Sequence, residues 1–230
     1  MEDNEWSFCS MWAEYFRVGC AEALFNSKLE GDYFFNRSKV SGCRDPAFAS
    51  RRLAKLFWQK GIDCYLYDRE GLLEKKEFKQ IDTMYVLVKS NRDTEVVSGK
   101  TVVVDRELLP IWIDVFCRAF YVPEWKPEVE KIITANAGKM TLLLSYKKKT
   151  PAGCAALYAT NGLTGMYCLG TIKEMRGMGL ARQTLQNAAQ MFESIFLQTL
   201  ATEELLPFYR KAGFKVAYAK KIYKLGASSN

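Results

Sequence analysis

Residues 165–181 read GMYCLGTIKEMRGMGLA, and the interpretation of this stretch decides the fold. Residues 166–172 form an apolar run with the length and composition of a buried strand. After a short polar bend comes Arg176-Gly177-Met178-Gly179-Leu180-Ala181. Ala181, Leu185, Ala188 and Phe192 then recur at helical spacing, so a glycine pair opens a helix directly after a strand. The first N–H groups of a helix have no intrahelical partner, and the macrodipole adds partial positive charge there. Gly177 and Gly179 carry no Cβ, which lets a phosphate approach those amides. The plain alternative is a tight turn between strand and helix.

Working outward, residues 195–201 read as a strand and 203–212 as a short helix, closed by Tyr209-Arg-Lys-Ala-Gly213-Phe214. Upstream, 101–104 is a strand, and 108–120 a helix with Leu109, Ile113 and Phe116 in register. Strands at 140–146 and 154–160 flank the charged turn Lys147–Pro151. Asn161-Gly162 then turns the chain into the 166–172 strand. Three antiparallel strands feeding a glycine-led helix make an α+β pattern.

The N-terminal half has its own order. Trp12, Phe16, Cys20, Ala23 and Leu24 share one face of a helix expected over 8–26, and 32–40 reads as a strand. Asp45-Pro46 supplies an N-cap and a first-turn proline for a helix ending at Gly61. Its Ala49, Leu53, Leu56 and Phe57 face a core, while Arg51, Arg52, Lys55 and Lys60 form the solvated side. A strand over 62–67, a helical turn over 71–76 and a strand over 78–89 follow. The polar residues 91–100 are the expected linker, dividing the chain into domains 1–98 and 99–230. Residues 72–79 can be laid on 208–215, each preceded and followed by a strand. Leu73 then stands at the place of Tyr209, and Glu77 at that of the glycine.

Composition narrows the chemistry. The chain has 230 residues, 49% hydrophobic, enough to bury a sizeable core. No apolar run approaches the roughly 20 residues that cross a bilayer. The start, MEDNEWSFCS, is acidic and lacks a signal-peptide core, so a cytoplasmic location with no membrane contact is expected. Seven cysteines without a C-x-x-C pair suggest reduced thiols rather than a disulfide framework. Histidine is absent, which removes Ser–His and Cys–His pairs, imidazole bases and His-ligated zinc. The net charge of +7 suits a polyanionic ligand, but the positives are scattered and no aromatic-basic module favours nucleic acid.

Arg-x-x-Gly-x-Ala after a strand resembles the acyl-CoA pyrophosphate loop of the GCN5-related N-acetyltransferases, the GNAT superfamily. Tyr209 with Gly213-Phe214 is similar to that family's last conserved segment, and the likeness covers about residues 99–225. The resemblance implies a mixed, mostly antiparallel twisted sheet flanked by helices. It makes the arrangement a tandem one in which the N-terminal half is a degenerate relative. It implies an acyl-CoA-dependent N-acyltransferase that moves acetyl from acetyl-CoA directly to a primary amine of a small molecule or peptide, without a metal. Leu169, Gly170 and Thr171 would line the pantetheine arm and offer an oxyanion donor. Arg176, Gly177, Met178, Gly179, Leu180 and Ala181 would hold the pyrophosphate. Tyr209 would protonate the departing thiolate.

Family members carry a bulge and strand splay at this strand. Gly165 and Gly170 either permit one or mark close packing. Many relatives place a glutamate on it, but this strand has no carboxylate. Glu174 reads as a solvent-facing bend. Phe120, Tyr121 and Glu124 fall where the family binds acceptors, and Cys168 reads as core. Two rival readings compete with this one. A dinucleotide-binding domain fails because position 182 is Arg rather than the third glycine and antiparallel strands come first. A non-enzymatic acyl-CoA sensor or scaffold stays open because no base is visible. The sequence assigns no oligomeric state.

Overall fold

In the computed structural model, residues 1–73, 78–90 and 99–225 are described. Residues 91–98 of the expected 91–100 linker, and residues 74–77 of the expected helical turn and internal echo, lie outside them. The chain forms α1 (Glu2–Ser10), β1 (Glu14–Val18), β2 (Ala21–Phe25), β3 (Arg37–Val40), α2 (Pro46–Gln59), β4 (Cys64–Asp68) and β5 (Lys79–Ser90). It continues with β6 (Lys100–Val103), α3 (Leu109–Phe120), α4 (Lys126–Asn136), β7 (Thr141–Lys147), β8 (Thr150–Thr160) and β9 (Leu163–Thr171). Then come α5 (Leu180–Met191), β10 (Ser194–Leu200), α6 (Leu205–Lys211) and β11 (Lys215–Leu225). Two compact units result: 1–5, 87–198 and 207–215 make one, and 6–86, 199–206 and 216–230 the other.

In the first unit the strand order is β10-β9-β8-β7-β6. β6, β7, β8 and β9 pair antiparallel in succession, and β10 lies parallel to β9 after the α5 crossover. α3 supplies Trp112, Ile113, Val115 and Phe116 to the core, with the Trp112 indole N–H donating to the Ala155 carbonyl at 3.1 Å. Asn4 reaches into this unit from the chain's start. Its amide donates to the carbonyls of Tyr158 and Leu163, and its oxygen accepts from the Tyr167 hydroxyl at 2.8 Å.

The second unit repeats the plan: β1-β2-β3 antiparallel, α2, then β4 parallel to β3. Leu53, Phe57, Ala23, Phe25 and Leu66 make its core, and Phe16 packs 5.7 Å from Phe57. α2 starts as expected, with Asp45 accepting from the Phe48 N–H at 2.9 Å and Pro46 in the first turn. The strand beside β4 is β11, not the sequence-adjacent β5, with Tyr223 opposite Leu66.

Three expectations are corrected. The helix over 8–26 is instead the end of α1 and the β1–β2 hairpin; Gly19, at φ +61°, turns the chain where a helix would continue. The strand over 32–40 is confined to β3, because the Asp32 carboxylate accepts from the N–H groups of Phe34 and Phe35 and holds a turn. The thiols are not all reduced. Pairing of Ala21 with Val40 brings the flanking Cys20 and Cys43 to a Cα separation of 5.6 Å, and they form a disulfide.

Opening this bridge releases a loop of 23 residues' separation. Reduction under native conditions should therefore lower unfolding stability by about 3 kcal/mol. Denaturant midpoints with and without reductant check this; equal midpoints contradict it.

Candidate active site

The site is built where β9 ends and α5 begins. Arg176 is followed by Gly177 at φ +75° and Gly179 at φ +83°, the left-handed region that L side chains rarely adopt. A Cβ at either glycine meets nothing within 4 Å, so backbone conformation, not crowding, demands glycine. The space outside them is open. Gly179 is the N-cap of α5, and no side chain caps the helix. The amides at 180–182 precede the first helical bond, in which Gln183 N–H reaches the Gly179 carbonyl. An anion fits this cradle.

α5 is pinned by polar contacts that the sequence reading missed. Thr184 bonds Ser145 at 2.7 Å, Ser145 bonds Thr101 at 2.9 Å, and the Gln183 amide donates to Thr101. Leu180 is buried and Ala181 half-buried, while Met178 is exposed.

The contrast with α2 is chemical. There, the Asp45 carboxylate already occupies an N-terminal amide and places negative charge where a phosphate would sit. The same strand–helix–strand plan thus carries an open cradle in one unit and a closed one in the other.

β9 is bulged. Cys154 faces Gly170 and Ala156 faces Tyr167, so Ala155 stands opposite two residues, Cys168 and Leu169. Cys168 takes φ +54° and is half-buried, so it is a bulge residue and not the core residue expected. Its conformation is rare without glycine, and nothing in its residue type signals it. Pairing of β9 with β10 ends at Met166 and Leu197. Beyond that point Leu169, Gly170 and Thr171 follow the bulge. The Thr171 hydroxyl and both side-chain polar atoms of Gln198, one residue after Leu197, are buried with no hydrogen-bond partner among the described residues. Gln198 was not foreseen; unsatisfied buried amides of this kind call for a missing partner.

The two glycines of β9 serve packing. A Cβ on Gly165 would lie 2.7 Å from the Asn4 oxygen, and one on Gly170 would lie 2.8 Å from the Phe120 ring and 2.9 Å from Ala119 Cβ. The end of α3 therefore rests on β9. Arg176 locks that contact: its Nε donates to the Thr171 carbonyl at 3.1 Å and its Nη2 to the Ala119 carbonyl at 3.0 Å. Its guanidinium also sits 5.1 Å from the Tyr121 ring centre. Phe120, Tyr121, Gly170, Thr171 and Arg176 are brought together in this way.

Glu124 and Tyr209 have other neighbours. Glu124 is exposed in a single 3-10 turn, Pro123–Trp125. Glu174 is also exposed, 3.8 Å from Arg118. Tyr209 is buried in α6 between Phe208 and Phe214, ring centres 5.1 and 6.0 Å away. Burial pushes its phenol up to about 12, so it stays protonated at neutral pH. Gly213, at φ +89°, ends the helix, and Lys89 Nζ bonds the Ala212 carbonyl.

A model of the acetyltransferase (GNAT) domain matches residues 113–227. The chain belongs to the GNAT family. This N-acetyltransferase also shares its fold with solved members. A GCN5-related N-acetyltransferase from Kribbella flavida is 16% identical, with a TM-score of 0.70 over 98% of this chain and 94% of that one. The corresponding protein from Sphaerobacter thermophilus is 15% identical, with a TM-score of 0.62 over 90% and 76%. A GNAT-family acetyltransferase from Colwellia psychrerythraea is 13% identical, with a TM-score of 0.60 over 98% and 90%. No curated protein matches the chain. The family uses acetyl-CoA as co-substrate, and the uncapped α5 terminus and the bulged β9 edge fit such a molecule.

Gly170→Val should force α3 off β9 and cost about 1–3 kcal/mol. A thermal melt checks this, and an unchanged midpoint contradicts the packing role.

Proposed function

We propose that the protein transfers acetyl from acetyl-CoA directly to a primary amine of a small molecule or peptide. The observation that carries this reading is the uncapped start of α5 beside a bulged strand. Acetyl-CoA supplies the activated acetyl thioester. The amides of Gly177, Met178, Gly179, Leu180 and Ala181 hold the pyrophosphate, where partial positive charge meets phosphate without a competing carboxylate. Arg176 acts through its side chain by fixing the end of α3 to β9. Leu169, Gly170 and Thr171 present backbone groups to the pantetheine arm, and one N–H is aimed at the thioester oxygen. The buried amide of Gln198 finds its missing partner in the same arm.

Tyr209 is the acid in this reading. A phenol held protonated through the physiological range is available as a donor to the departing thiolate, and the burial that keeps it protonated also makes that proton harder to give up. Phe120 and Tyr121 form the acceptor side, and Glu124 draws the cationic amine. β9 carries no carboxylate, so the acceptor arrives as its free base and the rate rises with pH toward the amine's own pKa. The N-terminal half, residues 1–98, is a degenerate repeat that holds no acyl-CoA, consistent with the Asp45 cap, and residues 99–230 carry the chemistry. We place the protein in the cytoplasm. No helix among the described residues is long and apolar enough to cross a membrane.

Tyr209→Phe should lower turnover at neutral pH by about 10²-fold or more with CoA affinity unchanged. Steady-state rates and calorimetry check this, and unchanged turnover removes Tyr209 as the acid. Gly179→Glu should abolish CoA binding, because the new side chain is strained at positive φ and negative beside phosphate. Retained binding would mean the loop is misassigned. A wild-type protein that binds CoA yet releases no thiol with peptides, polyamines, amino acids or aminoglycosides is instead an acyl-CoA sensor or scaffold.

A further inference from the structure

The β1–β2 turn and one face of α2 border an open surface groove of about 600 Å³ in the second unit, its three cations exposed to solvent. Its charged lining is entirely cationic: Arg17 from β1, and Arg52 and Lys55 from α2, with Val18 and Leu56 as its apolar part. Among the described residues none of the three cations meets a carboxylate. Arg17 Nε donates to the Gly19 carbonyl at 2.9 Å, which sets the guanidinium's direction while using one of its donors. The Arg52 guanidinium is steadied 5.9 Å from the Phe48 ring centre. The walls are also tied covalently, since Cys20 follows the turn and Cys43 precedes α2.

Like charges gathered in a concavity repel one another and concentrate positive potential there. Arg52 and Lys55, read from the sequence as a solvated helix face, gain a direction from Arg17 across the groove. Guanidinium forks match phosphate oxygens in paired hydrogen bonds, and the volume falls in the range of small-molecule sites. No aromatic ring is part of the lining, so a nucleobase has no platform to stack on.

We propose that this groove binds a compact polyanion carrying two or more phosphate groups, at a site separate from the α5 cradle. The proposal does not rest on the acyltransferase reading. Inorganic tripolyphosphate, titrated by calorimetry into the full chain at low ionic strength, is the probe.

The double variant Arg52→Ala/Lys55→Ala should weaken tripolyphosphate by about tenfold or more. Gly179→Glu, which removes the α5 cradle as a second phosphate site, should leave the groove affinity in place; the groove variants repeated in that background should lose the remaining binding, and on the wild-type background the double variant should keep its acetyl-CoA affinity. Arg17→Ala, outside α2, should weaken the probe several-fold and serves if the double variant does not fold by circular dichroism. No tripolyphosphate binding at millimolar concentration overturns the proposal. So does binding that survives the groove variants, or binding lost only with Gly179→Glu. The acetyl-CoA titration reads the other site separately.

Discussion

The structure turns on a helix start that no side chain closes. At Gly179 the backbone enters the left-handed region, α5 begins, and the first amides face open space. A helix end left this way is tolerable in water and receptive to an anion. Everything around it holds that end still. The Thr101–Ser145–Thr184 chain anchors α5 to β6 and β7, and Arg176 ties the preceding loop to α3 and to the end of β9. Because Arg176 bonds the carbonyls at Ala119 and Thr171, the loop before α5, the Phe120–Tyr121 end of α3 and the bulged strand share one joint.

The second unit shows what the same plan becomes when the end is closed. β3, α2 and β4 repeat β9, α5 and β10, including the parallel pairing across the crossover. In place of glycine, α2 begins on Asp45, whose carboxylate takes an amide for itself. With that carboxylate in place, α2 is an ordinary capped helix. Within the second unit the sheet is completed by β11, which pairs antiparallel with β4.

Much of the first unit was legible in the sequence because its signals are local. Glycines at a strand–helix junction, apolar runs of strand length and a Tyr…Gly-Phe ending each act over a few residues, and α3, β10 and α5 fall close to their expected places. What was missed is tertiary. The bulge sits at Cys168 rather than at a glycine, because the mismatch between β8 and β9 is fixed by pairing and not by residue type. Gln198 gave no sign, since an isolated glutamine in an apolar strand has no motif. Asn4 lies more than 150 residues from the strands it bonds. The 8–26 segment misled for a definite reason: apolar residues four apart also suit two short strands when a glycine turns between them. The disulfide depended on the β2–β3 register, which spacing alone does not give.

The uncapped start of α5 is tested most directly by following backbone amides in solution while acetyl-CoA is added to isotope-labelled protein. The account predicts large shifts and slowed exchange for the amides at 177–182, with those at 47–49, behind Asp45, unmoved. Shifts centred on the α2 terminus, with 177–182 unchanged, would contradict it.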